Sequence, residues 1–503
     1  MAASAPVDIV SMLARHAAER PSARCLTSGS DALDFATLAR RSNAAANLLA
    51  AQGIGHGDRV ALLSNASPEV FELLFACAKL GAILVPLNWR LSAREIAQIV
   101  ADCDPALVVV EESHAPLLAE AGKGPRLSFE AYVALRDAAP DGEPDGAGDP
   151  DIPALILYTS GTTGLPKGVM LSQRNLSYLG RMADEVWGFT SSSVNLVAMP
   201  LFHIGGIGYA LLGLSQGGET VLLPGADPAA VIAAIARHGV THGFFVPTVV
   251  QRLVEHVAAS GAAAPSIGTI FYGAAPIGEE LLERARTAFG CHFVHVYGMT
   301  ETAGTTVTLL PNEHVGARLR SCGRPMPWIE LALVDPASGR KVATGEVGEI
   351  RMRSPAIMLG YWRKPDETAT AITADGWLCS GDAAFADADG YLFIHDRYKD
   401  MIVSGGENIY PSEIDNVMLH HPAVAEVAVI GLPHPKWGET PCAYVVLRDG
   451  SEVSAADLIA FTRERIAHYK CPTSVRFVPA LPRNASGKIL KRELRELGEG
   501  ALR

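Results

Sequence analysis

The sequence predicts an α/β protein in which a large N-terminal domain of parallel sheets covered by helices precedes a small α+β domain. Through the first two-thirds of the chain, short apolar strands alternate with amphipathic helices. That order of strand, helix and strand is typical of parallel sheets. Near residue 396 the chain becomes charged and loop-forming, and about 100 residues with their own strands and helices follow, a length that suits a separate domain.

The alternation is clearest early in the chain. Arg59 to Ser64 forms an apolar run that predicts a strand, and Ser67 with Pro68 marks the start of a helix that Gly81 should end. Comparable strand patterns follow at 83–87, 106–112, 154–158, near 220, at 240–247 and near 270, with a helix at 228–239. Residues 141–151, which are acidic and rich in Gly and Pro, predict a surface linker before the strand at 154–158.

Composition excludes several classes of function. The formal net charge of −12, without any run of Lys and Arg, argues against nucleic-acid binding. The eight cysteines contain no CxxC pair, which favours reduced thiols in a cytoplasmic protein.

Residues 197–214 form the one stretch apolar enough to suggest a membrane segment. Pro200, His203 and four glycines interrupt it, and they would leave backbone groups unsatisfied in lipid. The N-terminus also lacks the pattern of a secretion signal. We therefore expect no integral membrane segment, while peripheral association with a membrane and a homodimer both stay open.

The segment Tyr158–Val169, YTSGTTGLPKGV, follows a predicted strand with hydroxyls, glycines and one lysine. Ligands of parallel sheets bind at the carboxyl ends of strands. Glycines let the backbone approach an anion, and successive N–H groups form a concave anion site, so the loop favours polyphosphate over a plain turn. It is not a Walker loop, because Pro166 and Gly168 stand where that pattern needs Gly and Ser or Thr.

Four later motifs follow in a fixed order: YGMTE at 297–301, SGD at 380–382, DRYKDM at 396–401 continuing into SGGENIYP at 404–411, and PRNASGK at 482–488. With the loop at 158–168 they make the whole chain resemble the adenylate-forming (AMP-binding) enzyme superfamily, in its acyl-CoA synthetase branch. The resemblance implies an ATP- and acyl-binding domain over 1–395 that includes a β-barrel-like subdomain, a hinge at 396–400, and a mobile lid domain over 401–503.

The resemblance implies that the enzyme uses ATP, Mg²⁺ and coenzyme A. Glu301 would hold Mg²⁺, and the catalytic residues would be Lys488, Thr300, Glu301 and His203. The expected ATP-binding residues are Thr159, Ser160, Gly161, Thr162, Thr163, Gly164, Lys167, Gly273, Ala274, Ala275, Tyr297, Gly298, Thr300, Asp382 and Arg397.

The same resemblance implies a hinge at Lys399, about which the lid would rotate after the first half-reaction. Coenzyme A would contact Gly405, Gly406 and Trp437. The acyl pocket would be walled by His203, Ile204, Gly205, Phe245, Val246, Gly298 and Ala303. From the residues alone, His203 is equally compatible with a core histidine and with a gate beside the reacting carboxylate.

The predicted acyl wall contains little charge. There is no Lys or Arg between Leu196 and Ala236, and a second carboxylate buried there would be unpaired. We therefore expect a monocarboxylic acid, with a medium- or long-chain fatty acid first and an aryl or cyclic acid, benzoate- or cinnamate-like, as the alternative. Loading of a separate carrier protein, luciferase-like oxygenation and a regulator without chemistry are the remaining alternatives.

Overall fold

The computed structural model of the protein describes residues 8–145, 148–159, 166–261, 267–275, 277–404, 407–483 and 489–500. Residues 397, 399, 408, 499 and 500 are described by their backbone alone. The chain divides into two compact units, Met1–Glu330 with Met352–Leu378, and Leu331–Arg351 with Cys379–Arg503. The predicted division at residues 396–400 stays a prediction.

The helices and strands up to residue 261 are α1 (Ile9–Glu19), β1 (Arg24–Ser28), β2 (Asp31–Asp34), α2 (Phe35–Ala51), β3 (Arg59–Leu63), α3 (Glu69–Leu80), β4 (Ile83–Pro86), α4 (Ala93–Cys103), β5 (Leu107–Val110), β6 (Arg126–Ser128), α5 (Phe129–Ala138), β7 (Pro153–Thr159), β8 (Lys167–Ser172), α6 (Gln173–Arg181), β9 (Val194–Val197), α7 (Ile204–Ser215), β10 (Glu219–Leu222), α8 (Pro228–His238), β11 (His242–Phe245) and α9 (Pro247–Ser260).

Those that follow are β12 (Thr269–Gly273), α10 (Glu279–Phe289), β13 (His292–Met299), β14 (Gly304–Leu309), β15 (Arg324–Pro325), β16 (Glu330–Val334), β17 (Gly348–Arg353), β18 (Gly360–Tyr361), α11 (Pro365–Ala371), β19 (Leu378–Ala386), β20 (Leu392–Arg397), β21 (Ile402–Ser404), β22 (Glu407–Ile409), α12 (Pro411–Leu419), β23 (Val424–His434), β24 (Gly438–Leu447), α13 (Ala455–Arg463), β25 (Ser474–Phe477) and α14 (Lys491–Gly500).

The first unit contains two large sheets. One has nine strands in the order β15-β14-β13-β12-β11-β9-β10-β1-β2, and the six strands from β13 to β1 run parallel. The other has seven strands in the order β18-β8-β7-β4-β3-β5-β6, in which β7 to β6 run parallel. Strand β8 then returns antiparallel to β7. The predicted parallel sheets are therefore confirmed.

Helix boundaries follow local signals. Helix α3 ends at Gly81, whose φ of 70° is readily adopted by glycine. Helix α4 begins with a capping box in which Ser92 and Glu95 each accept a hydrogen bond from the other's backbone N–H. These caps fix the end of α3 and the start of α4, and therefore the positions of the loops that connect these helices to the neighbouring strands.

The second unit contains two sheets. One has the order β16-β17-β19-β20. The other has the order β22-β21-β24-β23, with β25 added beside β24. Alternate residues of β23 face opposite cores: Val427 and Val429 pack with α12 and α13, whereas Ala428 and Ile430 pack with Leu494 of α14. The expected small α+β domain is present.

No helix in the described part of the chain is long and apolar enough to cross a membrane. The apolar stretch at 197–214 instead contains the last residue of β9, a turn and most of α7. Most of α7 is buried, including Ile207, Ala210 and Leu214. The expectation that this stretch forms core or pocket wall agrees with that burial.

Candidate active site

The turn after β13 holds Glu301 in a fixed position. Thr300, Glu301 and Thr302 form one 3₁₀ turn, which Ala303 ends with a φ of 53°. The Thr302 hydroxyl accepts a hydrogen bond from the backbone N–H of Met299 at 3.1 Å and lies 2.7 Å from the carbonyl oxygen of Gly304, to which it can donate. The turn thus presents the Glu301 carboxylate from the carboxyl end of a parallel strand.

Tyr361 is the closest described partner of that carboxylate. Its hydroxyl donates to Glu301 Oε1 at 2.9 Å, and the backbone N–H of Met358 donates to the Glu301 carbonyl oxygen at 2.8 Å. Glu301 is only 8% exposed. Burial and the neighbouring Glu301 carboxylate raise the pKa of Tyr361, so its hydroxyl stays a donor at neutral pH. The first contact fixes the direction in which the carboxylate points, and the second holds the backbone of the turn.

Lys167 completes this cluster. It begins β8, and its Nζ lies 5.0 Å from the centre of the Tyr361 ring, a distance at which a cation and an aromatic face attract each other. Tyr361 lies on β18, which pairs with β8 so that Tyr361 faces Val169. A single tyrosine therefore touches both the predicted metal ligand and the predicted phosphate-binding lysine.

Sequence reasoning missed Tyr361. It lies 60 residues from Glu301 in the chain. It belongs to a two-residue strand, and the charged segment that follows at 363–367 contains none of the motifs that indicated the site. Only the antiparallel pairing of β18 with β8 brings it to the cluster, and a pairing between such distant segments leaves no local signal.

The predicted phosphate loop joins two antiparallel strands. Thr159 at the end of β7 is opposite Lys167 at the start of β8. The predicted residues Ser160, Gly161, Thr162, Thr163 and Gly164 lie outside the described residues. The two ends of the loop are therefore held side by side, next to the strand that carries Tyr361.

Five of the predicted ATP-binding residues lie at two neighbouring strand ends. Gly273 ends β12 and pairs with Val296 on β13, and Ala274 has a φ of 63°. A Cβ atom at Gly273 would lie 2.3 Å from the Val296 carbonyl oxygen, and one at Gly298 would lie 1.9 Å from that of Gly304. Both positions therefore require glycine. Ala275 follows on the first strand end, and Tyr297 precedes Gly298 on the second.

His203 stands immediately before helix α7. Its Nε2 atom is buried and has no hydrogen-bond partner among the described residues. Burial lowers the pKa of His203 to about 4, with a smaller contribution from the positive charge of Arg90. The ring is therefore neutral at pH 7, and both roles considered for it remain compatible with its surroundings.

Two of the predicted acyl-wall residues lie elsewhere in the packing. Phe245 belongs to the apolar core beneath α8 and α9, and Val246 packs against the same core. The preceding residue, Phe244, points the other way: its Cε1 lies 3.0 Å from where a Cβ atom at Gly205 would be. Successive side chains of a strand face opposite sides, so only one of the two phenylalanines can face α7.

The remaining wall residues are close together. A Cβ atom at Gly304 would lie 3.9 Å from Cγ1 of Ile204 and 3.5 Å from Cδ2 of Leu179. The residue before it, Ala303, is fully buried. Ile204 and Gly205 at the start of α7 therefore lie beside the chain that leaves the Glu301 turn.

The second unit contains two of the predicted ATP-binding residues. Asp382 on β19 is 8% exposed and directly opposite Arg397 on β20. The Asp382 backbone N–H donates to Ser380 Oγ at 3.0 Å. The backbone places both residues at one position of an antiparallel ladder, although the Arg397 side chain lies outside the described atoms.

The other predicted residues of this unit are only partly described. Lys399 lies in the turn Tyr398–Asp400, with its side chain outside the described atoms. Trp437 is 45% exposed in the turn between β23 and β24, and Lys436 Nζ lies 4.4 Å from its ring centre. Gly405, Gly406 and Lys488 lie outside the described residues.

Helix α14 follows the segment that contains Lys488, and it forms ion pairs with residues of the predicted hinge. Lys491 Nζ lies 3.8 Å from Asp396, and Arg495 donates to Asp400 at 2.9 Å. Near them, the half-buried Asp415 accepts a hydrogen bond from the Val429 N–H at 2.7 Å. Burial raises the pKa of Asp415 to about 7, and the charge of Lys491 opposes that rise.

Two sheets with parallel strands, a glycine-rich sequence between β7 and β8 and a carboxylate turn at the end of β13 favour a nucleotide-binding protein. Comparison with known proteins narrows this class. Residues 13–362 match the family model described as AMP-binding enzyme, and residues 413–488 match that of the AMP-binding enzyme C-terminal domain. The chain belongs to the AMP-binding enzyme family.

The similarity to known proteins extends over nearly the whole chain. A feruloyl-CoA synthase from Amycolatopsis sp is 42% identical over 482 residues, which cover 96% of this chain and 97% of that protein. The fatty acid–[acyl-carrier-protein] ligase ScoC from Streptomyces coeruleorubidus is 37% identical over 492 residues, covering 96% and 94%.

A solved structure shows the same fold. The o-succinylbenzoate coenzyme A synthetase MenE from Bacillus subtilis, solved in complex with ATP and magnesium ion, matches with a TM-score of 0.87 and 33% identity, covering 96% of this chain and 98% of that one. The predicted adenylate-forming fold and family are confirmed, and so is an AMP-forming acid–thiol ligase at the level of the family.

Proposed function

We propose that the protein is an ATP-dependent acid–CoA ligase that activates an apolar monocarboxylic acid as its acyl-adenylate. The single observation that carries this proposal is the cluster of Glu301, Tyr361 and Lys167 at the strand ends that flank the phosphate loop. An oriented carboxylate and a lysine at such a loop suit Mg²⁺ and polyphosphate.

ATP supplies the leaving group that a carboxylate lacks. The substrate carboxylate attacks the α-phosphorus, pyrophosphate leaves, and the acyl-adenylate then reacts with a thiol to give the thioester and AMP. Negative charge spreads over phosphate oxygens in the first step, and stabilising it is the main task of the site. Lys167, Thr300 and the hydroxyls of the phosphate loop would take that role.

Glu301 would hold Mg²⁺ together with oxygens of the nucleotide. The donor chemistry fits, because Mg²⁺ is a hard cation that is commonly bound by one or two carboxylates and substrate phosphates. In the described part of the chain, no group of three or more His, Cys, Asp or Glu residues is arranged to hold a metal.

Lys488, Asp382 and Arg397 would complete the nucleotide site, with Lys488 contacting the reacting carboxylate and the α-phosphate. This role for Lys488 rests on the PRNASGK motif that contains it. Rotation about Lys399 would then remove Lys488 and present Gly405, Gly406 and Trp437 to coenzyme A. Hinge rotation is a recognised way to build different sites at successive steps. A cytoplasmic location is proposed on the reduced cysteines.

Two substrate classes have support among similar proteins, a fatty acid and an aryl acid. The side chains packed against helix α7 favour an aryl acid as the substrate. The Phe244 ring fills the space that Gly205 leaves, so a long chain could pass between α7 and β11 only if that ring moved. Aromatic side chains also favour an aromatic ligand through offset stacking. We therefore place the aryl acid before the medium- or long-chain fatty acid that the sequence favoured.

Pyrophosphate release across a panel of acids, with and without coenzyme A, tests this proposal. The panel contains cinnamate-like and benzoate-like acids, saturated acids of increasing length, and one dicarboxylic acid. We expect acid-dependent pyrophosphate release, AMP formation and a thioester when coenzyme A is present. Turnover of the dicarboxylic acid alone would contradict the apolar wall, and release of ADP would contradict adenylation.

A further inference from the structure

The last turn of helix α4 carries an aspartate, Asp102, that holds two segments of the candidate site from outside. The Tyr158 hydroxyl on β7 donates to Asp102 Oδ2 at 2.6 Å. The indole Nε1–H of Trp362, one residue after β18, donates to the Asp102 carbonyl oxygen at 3.2 Å. Lys364 Nζ lies 3.7 Å from Asp102 Oδ1. One residue thus joins α4 to β7 and to the chain that follows β18.

Both segments lead directly into the candidate site. Tyr158 is opposite Gly168 on β8, which is one residue after Lys167. Trp362 follows Tyr361, and its backbone N–H donates to the carbonyl oxygen of Gly168 at 2.8 Å. The two aromatic residues that Asp102 holds are therefore neighbours of the predicted phosphate-binding lysine and of its aromatic partner.

Gly168 leaves these two aromatic side chains close to the backbone of β8. A Cβ atom at Gly168 would lie 3.1 Å from Tyr158 Cζ and 3.3 Å from Trp362 Cβ. Interiors packed this closely transmit small displacements. A shift of the Tyr158 ring would therefore move the first residues of β8, where Lys167 lies.

The hydrogen bond between Tyr158 and Asp102 is partly shielded from water. The Asp102 and Lys364 side chains are 26% and 20% exposed. Burial raises the pKa of Tyr158, so its hydroxyl stays protonated and can donate at neutral pH. A hydrogen bond to a carboxylate is about twice as strong as one between neutral groups. The contact is therefore strong enough to hold the Tyr158 ring in one place.

We propose that Asp102 is a positioning residue for the polyphosphate of ATP. By holding Tyr158 against β8, it sets the position of Lys167, and it acts through Tyr158 rather than by touching the nucleotide. This inference rests on the proposed acid–CoA ligase function, in which Lys167 serves the polyphosphate. AMP lacks the two outer phosphates, so its binding should depend little on this contact.

The test measures the affinities of ATP and AMP for the full-length protein by isothermal titration calorimetry, with Mg²⁺ and without acid. The variants are Asp102→Ala, Tyr158→Phe and the double variant. Asp104→Asn is the matched control, because Asp104 follows the same helix but its carboxylate pairs with Arg59 and Arg363. Asparagine tolerates the φ of 46° at that position. Thermal unfolding shows that each variant is folded.

Asp102→Ala and Tyr158→Phe should each weaken ATP binding by about 5- to 20-fold, the order expected for the loss of one hydrogen bond, and leave AMP binding within about twofold of wild type. Because both substitutions remove the same bond, the double variant should lose no more than the more affected single variant. Asp104→Asn should bind both nucleotides as the wild type does.

Unchanged ATP affinity in folded Tyr158→Phe would overturn the inference. This variant removes one oxygen and leaves Asp102 beside Lys364, so it decides the question even where Asp102→Ala does not fold. Equal weakening of ATP and AMP binding would show a general structural role and would also overturn the inference, as would losses that add in the double variant. A wild-type protein that binds neither nucleotide would instead refute the proposed function on which the inference depends.

Discussion

Replacing Tyr361 with phenylalanine removes one hydroxyl from the cluster around Glu301. The hydroxyl donates to Glu301 Oε1 at 2.9 Å, and the carboxylate is nearly buried. A hydrogen bond to a charged group contributes about 1.5–3 kcal/mol. If that contribution orients the carboxylate for Mg²⁺, Tyr361→Phe should lower kcat/KM for the magnesium nucleotide by about 10- to 150-fold.

The variant should retain the rest of the cluster. A phenyl ring still offers its face to Lys167, whose Nζ lies 5.0 Å from the present ring centre. The backbone bond from Met358 to Glu301 is also unaffected. The loss should therefore be largest at limiting Mg²⁺, because only the direction of the carboxylate changes.

The assay is pyrophosphate release at saturating acid, with Mg²⁺ titrated at fixed ATP. Tyr132→Phe is the control, since its hydroxyl has no described partner to lose. Equal activity of Tyr361→Phe and wild type at every Mg²⁺ concentration would refute the role given to Tyr361. An equal loss in both variants would show a general effect of removing buried hydroxyls.

The remaining predictions concern the second unit. Lys488→Ala should slow adenylate formation by orders of magnitude and leave thioester formation from supplied acyl-adenylate largely intact; equal loss of both half-reactions, measured separately, would reject the role of Lys488. Lys399→Pro should impair thioester formation more than adenylation, and unchanged thioester formation would count against the hinge. Asp415 has an ordinary pKa of 3.8 and a pKa of about 7 in the folded protein, so ionising it opposes folding increasingly as pH rises from about 4 to about 7. Asp415→Asn can still accept the bond from Val429, and its free energy of unfolding should exceed that of the wild type by up to about 4 kcal/mol above pH 7, with little difference near pH 4; a difference that does not vary with pH in denaturant unfolding would contradict this.

The sequence predicted helices and strands correctly where one short segment contained both an apolar pattern and a terminating residue. The expected helix between Pro68 and Gly81 is α3, and the expected strand at 154–158 lies within β7. In each case an apolar period and a terminating residue stand in one short segment, so no distant contact is needed to define the element.

Long-range pairing could not be predicted in the same way. Strand β1, near the N-terminus, pairs with β10 almost 200 residues later, with Leu26 opposite Thr220. The two-residue strand β18 brings Tyr361 to Glu301 by pairing with β8. These contacts depend on the order of strands in a sheet, and the alternation of apolar residues carries no information on that order.

The sequence motifs predicted the residues at the centre of the candidate site better than the residues of the acyl-pocket wall. Glu301 and Lys167 follow from the motifs, and the structure places both beside Tyr361. The choice between Phe244 and Phe245 depends on which face of β11 meets α7, and two adjacent phenylalanines do not reveal it. The predicted roles of the residues outside the described chain stay predictions.

Exchange of labelled pyrophosphate into ATP without any thiol tests the central claim most directly. Acid activation as an acyl-adenylate is reversible, so exchange should depend on the carboxylic acid and on Mg²⁺, and mass spectrometry should detect the acyl-adenylate. Exchange that proceeds equally without acid, or acid-dependent formation of ADP and phosphate in its place, would contradict the account.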